Sequence, residues 1–166
     1  MDIIRQYFPL CWLNVSVLNL PRSTRFFKHN LIFYFTIVFF IQFNMVDDID
    51  SILEVLLETS LTLAFIALVL LLNGTINAFI QVSSAVLFCE NVVALFLAPI
   101  LFWATVAEDT PSYMTLALFL LWDLIIVGRI FKDVLRVNNA AGLVVALFYF
   151  LTSYGGAYGL YSLLVG

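Results

Sequence analysis

Charge is what this sequence has least of. Only 11% of its 166 residues are Asp, Glu, Lys or Arg, while 64% are apolar. A soluble domain carries about 25% charged residues. A water-facing surface cannot be built from what remains, so the natural solvent of this chain is lipid. Bases are scarcer than acids, seven against eleven, for a net charge of −4. No basic stripe with interleaved base-stacking aromatics occurs, and nucleic acid is not an expected partner. Histidine occurs once, at His29, and cysteine twice, at Cys11 and Cys89. No Cys/His/carboxylate cluster has metal-ligand spacing, and no phosphate loop or nucleophile elbow is present. No metal or other cofactor is therefore predicted, and the chain reads as non-enzymatic. The two cysteines lie far apart in apolar context and read as small buried hydrophobes. Residues 1–20 lack a small-residue cleavage site, so no cleavable signal is predicted.

What the chain has in abundance is long apolar runs. They predict an all-α, polytopic membrane protein: a five-helix transmembrane bundle in a single domain, residues 1–166. Residues 1–23 are apolar but broken by Arg5, Gln6, Pro9, Asn14 and Ser16. That pattern suits an interfacial segment, with Pro21 opening the first long helix. Spans are expected at about 24–46, 52–72, 89–107, 112–128 and 140–164. Asn73-Gly74 marks a tight turn. The stretch from 75 to 107 is too long for one crossing at 1.5 Å per residue. Its polar residues Asn77, Gln81 and Ser84 recur at helical spacing, so residues 75–88 read as a half-inserted amphipathic helix before span three. A kink is expected near Pro99.

All seven bases fall in two places, residues 5–28 and 129–136. With five spans both places lie on one side of the membrane. The acidic loops at 47–50 and 108–109 lie on the other. The excess of bases marks the cytoplasmic side, which puts the N-terminus inside and the C-terminus outside.

Ionisable groups within lipid are costly and default to functional candidates. Glu58, Glu90 and Asp123 qualify, and no base lies within a hydrophobic run to pair them. Glu58, one turn into span two, reads as a solvated interfacial acid. Asp123 can meet Glu90, Asn91 and Gln81, which predicts an intramembrane polar cluster of Gln81, Glu90, Asn91 and Asp123. Three roles fit it: an internal lock between helices, docking against a base on a partner helix, or a proton or cation pathway. The lock is the simplest. Arg129, Lys132 and Arg136 recur at i, i+3 and i+7 and form a basic face, read as a topology anchor at lipid headgroups. Gly155 and Gly159 form a GxxxG suited to close helix packing, within this chain or with another.

Several stretches together resemble the Yip-type group of small five-pass membrane proteins, in particular its short proteobacterial members. They are Leu20-Pro21-Arg22-Ser23, NAFIQVSSAV around Gln81, LAPILFW with Pro99, and LLWDLIIVGRIFKDVL followed by AAGL, with Trp122, Gly128 and Gly142. The resemblance implies an α-helical bundle with a cytoplasmic N-terminus, in a bacterial inner membrane. Eukaryotic members are linked to small GTPases and vesicle traffic and carry a longer polar N-terminal region, which has no counterpart in residues 1–20. Glu90 and Asp123 are not part of the pattern. The expected function is that of an accessory or scaffold subunit. It would work through helix–helix contacts with other membrane protein subunits and with membrane lipids. The alternative is a small proton- or cation-coupled transport component using Asp123 and Glu90.

Overall fold

In lipid every backbone N–H and C=O must be paired within its own segment, so long apolar runs fold as helices. The computed structural model describes residues 2–12, 14–46 and 51–165, and these are helical with short connections. Helix α1 covers Asp2–Tyr7, α2 Thr24–Val46, α3 Ser51–Leu72, α4 Phe79–Ala107 and α5 Thr110–Leu135. The last span is α6, Asn139–Phe150, a π-helical turn, Leu151–Gly155, and α7, Gly156–Val165. Five segments are long and apolar enough to cross a membrane: Thr24–Asn44, Ser51–Leu72, Ile76–Ala107, Thr110–Leu135 and Asn139–Leu164. The chain is an all-α polytopic bundle. The acidic loop expected at 47–50 lies outside the described residues.

Local sequence explains the breaks. Asn73 and Gly74 end α3, and Gly74 takes φ +70°, a conformation open to glycine. Asp109 caps α5 by accepting from Ser112 N at 2.9 Å, with Pro111 in the first turn. Asn138 caps α6 the same way, accepting from Ala141 N at 2.8 Å. Helix α2 opens at Thr24 rather than at Pro21. The Ser23 hydroxyl accepts from Phe26 N at 3.2 Å and does the capping, while the Pro21 carbonyl accepts from the Tyr7 hydroxyl.

The half-inserted helix expected over 75–88 is not a separate element. A 3-10 turn, Ile76–Ala78, runs straight into α4, which continues through Pro99 to Ala107. Its length, ~44 Å at 1.5 Å per residue, exceeds the hydrocarbon thickness. The polar residues that suggested an amphipathic surface face protein instead. Residues 81–91 are all buried, packed against α2, α5 and the N-terminal segment. That segment has two faces. Tyr7, Leu10 and Cys11 are buried in the main core, while Ile4, Phe8 and Trp12 are exposed. Span four likewise runs on past residue 128, because α5 carries Arg129 and Lys132 within its last turns.

Helices α5 and α6 form the closest pair. Where the Gly142 hydrogen points, a Cβ would stand 2.5 Å from the Gly128 carbonyl oxygen and 2.9 Å from Lys132 Cβ. The two glycines are what allow the backbones to meet. Gly155 and Gly159, the pair singled out by the GxxxG pattern, have nothing within 4 Å of a built Cβ. Among the described residues nothing covers the side of the helix to which their Cβ atoms would point.

Candidate functional site

Helix α3 buries Val55, Glu58, Thr62, Ile66 and Leu70, at spacings of three and four that make one stripe. Glu58 sits on this stripe, so it turns inward and is 1% exposed. This corrects its reading as a solvated interfacial acid. Both of its oxygens are used. The Tyr34 hydroxyl of α2 donates to Oε1 at 2.6 Å, and Gln42 Nε2 donates to Oε2 at 3.1 Å.

Glu90 lies near the middle of α4, and Asp123 near the middle of α5; they are 3% and 4% exposed. The Tyr149 hydroxyl of α6 donates to Glu90 Oε1 at 2.5 Å. Tyr34 also stands beside Glu90, which places one tyrosine between two acids. Asp123 is near enough to Glu90 for the two carboxyls to act on each other electrostatically. Glu90 Oε2 and Asp123 Oδ1 are buried without a hydrogen-bond partner among the described residues. Beside Asp123 is Cys11, whose sulfur lies 3.4 Å from that of Cys89; both are free thiols. All five spans and the 3-10 turn Phe8–Trp12 thus contribute to one buried group: Gln42, Glu58, Tyr34, Glu90 and Tyr149, with Asp123 and the thiols beside Glu90. No described lysine or arginine contacts its acids.

The rest of the expected cluster belongs to a second network, which holds no acid. Gln81 Nε2 donates to the carbonyls of Val17, at 2.8 Å, and Leu20, at 2.5 Å. Arg22 Nε donates to Gln81 Oε1 at 3.3 Å. Asn91 Nδ2 donates to the carbonyl and side-chain oxygen of Asn30, both at 3.1 Å, and Asn30 Nδ2 donates to the Ser84 carbonyl at 3.0 Å. This network fastens residues 17–22 and α2 onto α4. The structure therefore brings Glu90 and Asp123 together but separates them from the roles of Gln81 and Asn91. Burial pushes the nearby Tyr7 hydroxyl up to about 12, partly offset by Ser84. It remains a donor, and it holds the Pro21 carbonyl at 2.9 Å.

The basic face divides. Arg129 and Lys132 line one crevice with Gly128 and Asn139. The helix ends before Arg136, which takes φ +56° and borders a different crevice with Arg22 and Asn77. The i, i+3, i+7 spacing holds only while a helix continues, and this one stops at Leu135.

Sequence reasoning did not reach Tyr34, Tyr149, Gln42 or Asn30. Tyrosine inside an apolar run reads as bulk, and only a partner across the bundle shows its hydroxyl at work. Chemically, a carboxyl at this depth must have its charge offset by a proton or a cation. Tyrosine hydroxyls both donate and accept, so they can relay a proton between acids. Among the described residues no three His, Cys, Asp or Glu side chains are disposed around a common metal position. The acids come from three different helices, and a tyrosine hydroxyl donates to each of Glu58 and Glu90.

No family model, curated protein or solved structure matches this chain.

Proposed function

We propose that this multi-pass membrane protein takes up and passes protons through its bundle, as a small proton-coupled transport component. The observation that supports this reading is the set of three buried acids from three helices, two of them hydrogen-bonded to tyrosine hydroxyls and none met by a described lysine or arginine. Docking of Asp123 to a base on a partner helix loses ground, because Asp123 is turned away from the lipid face. We take the two clusters of bases to mark the cytoplasmic side. The N-terminus is then cytoplasmic and the C-terminus periplasmic, and the Yip-type resemblance favours a bacterial inner membrane. The test is proton flux in proteoliposomes holding the purified chain, with an imposed pH gradient and the membrane potential clamped. The gradient should collapse faster than in protein-free vesicles, and Glu90→Gln with Asp123→Asn should slow it. A rate equal to that of empty vesicles argues against the proposal.

A second reading, the accessory subunit, is favoured by one observation. Gly155, at the end of the π-helical turn, and Gly159 of α7 are open, and Tyr158 beside them is 66% exposed. A helix of another subunit would find close approach there. Purification in mild detergent tests it: co-purifying subunits lost on Gly159→Leu support it, and a clean monomer counts against it.

A further inference from the structure

A cleft of about 780 Å³ lies between α1, α2 and α4. Its lining changes character along its length. At the start of α2 it is bordered by Ser23, Arg25 and His29. One to two turns further on it is bordered by Phe33 of α2 and by Val92 and Leu95 of α4. The Asn91–Asn30 hydrogen bonds tie the two helices at the level between these zones.

We propose that this cleft is a binding site for one anionic phospholipid, with the phosphate at Arg25, a headgroup hydroxyl at His29 and an acyl chain laid along Phe33, Val92 and Leu95. The charge order is that of a lipid leaflet. Bases stand at the edge of the span, where α2 begins, and the wall beyond them is apolar. Basic pockets between membrane helices on the cytoplasmic side are where anionic headgroups bind. The cleft opens toward lipid, since Ile4, Phe33 and Leu95 are 52%, 46% and 54% exposed. Its volume falls within the 300–1,000 Å³ span of ordinary small-molecule sites. His29 is pre-set for the role. Its Nδ1 lies 2.6 Å from the Arg25 carbonyl, which can only accept, so Nδ1 carries the proton and Nε2 is left to accept from a headgroup hydroxyl while Arg25 holds the phosphate. A second sign comes from the floor. Asn91 borders the cleft and is 3% exposed, and its Oδ1 has no partner among the described residues. A buried acceptor of that kind calls for a donor from an occupant or from its water.

This inference does not rest on the proton reading. The test uses the full chain in mild detergent, titrated with phosphatidylglycerol and, separately, with phosphatidylcholine, and followed by native mass spectrometry. Phosphatidylglycerol should bind more tightly. Arg25→Gln should weaken it ~fivefold, the size of one base near an anionic surface. Arg129→Gln, on the other basic face, should leave it unchanged. Leu95→Trp should block the lipid by filling the cleft. Leu95 is largely exposed, so this variant is independent of any folding defect at Arg25. Inorganic phosphate should not displace the lipid, because it lacks the chain that the apolar wall receives. Equal binding of the two lipids, an equal loss in Arg129→Gln, no effect of Leu95→Trp, or displacement by phosphate would overturn the proposal.

Discussion

Tyr149 and Glu90 lie 59 residues apart in the chain, and their side chains meet at 2.5 Å inside the bundle. Tyr149 donates to Glu90 Oε1, and Glu90 Oε2 has no partner among the described residues. Tyr149→Phe therefore removes the 2.5 Å hydrogen bond from a buried carboxyl whose other oxygen has no partner among the described residues. A loss of ~1–3 kcal/mol is expected, the cost of an unmade buried hydrogen bond. Tyr34→Phe should cost less, because Gln42 still holds Glu58. Unfolding in mixed micelles compares the two. Equal losses would mean that the Gln42 contact contributes nothing.

Gly142→Ala should be among the most damaging small substitutions in the chain. The new methyl would meet the Gly128 carbonyl oxygen at 2.5 Å, and that neighbour is backbone, which cannot rotate away. Overpacking of this kind costs ~1–3 kcal/mol. Gly155→Ala and Gly159→Ala meet nothing within 4 Å. They should hold or slightly raise the stability of the isolated chain, since alanine favours helix. Thermal melts of the three variants in one detergent make the comparison. A Gly159→Ala loss as large as that of Gly142→Ala would contradict the packing described.

Gln81→Ala should loosen the N-terminal segment while sparing the spans. It removes the donor to the Val17 and Leu20 carbonyls and the acceptor for Arg22. Cys11, which is fully buried, reports the change. A membrane-permeant maleimide should label neither thiol in the parent and should label Cys11 in Gln81→Ala. Unchanged protection of Cys11 would show that apolar packing alone holds the segment.

Single cysteines introduced at Arg129 and at Glu108, in a Cys11→Ser, Cys89→Ser background, test the orientation. An impermeant maleimide added to intact cells should label position 108 and spare position 129. The reverse labelling would place the bases outside and remove the inward orientation from the proposal.

The spans were legible because lipid leaves the chain so few choices. Twenty apolar residues in a row specify a helix, and Asn73-Gly74, Asp109 and Asn138 mark its ends in familiar ways. Two kinds of feature were hidden. Gln81 and Ser84 look like one wet face of a helix, but the chain itself supplies their partners: the Val17 and Leu20 carbonyls for Gln81 and the Ile80 carbonyl for the Ser84 hydroxyl. Polarity at helical spacing does not say whether water or protein answers it. Glu58 was misplaced for a related reason. Nearness to a helix start suggests a wet end, and only the inward stripe through Val55 and Thr62 shows that the acid points to the core. The question that Asp123 posed, an acid in the membrane with no cation, has become a wider one. Glu58 and Glu90 share that condition, and Tyr34 stands between them.

The most direct test of the proton account is infrared difference spectroscopy of the reconstituted protein as pH is stepped. The account expects buried carboxyl bands that appear and vanish reversibly over the titration, shift in heavy water, and lose one component in Glu90→Gln and another in Asp123→Asn. A spectrum with no titrating buried carboxyl, or one unchanged by both substitutions, would contradict it.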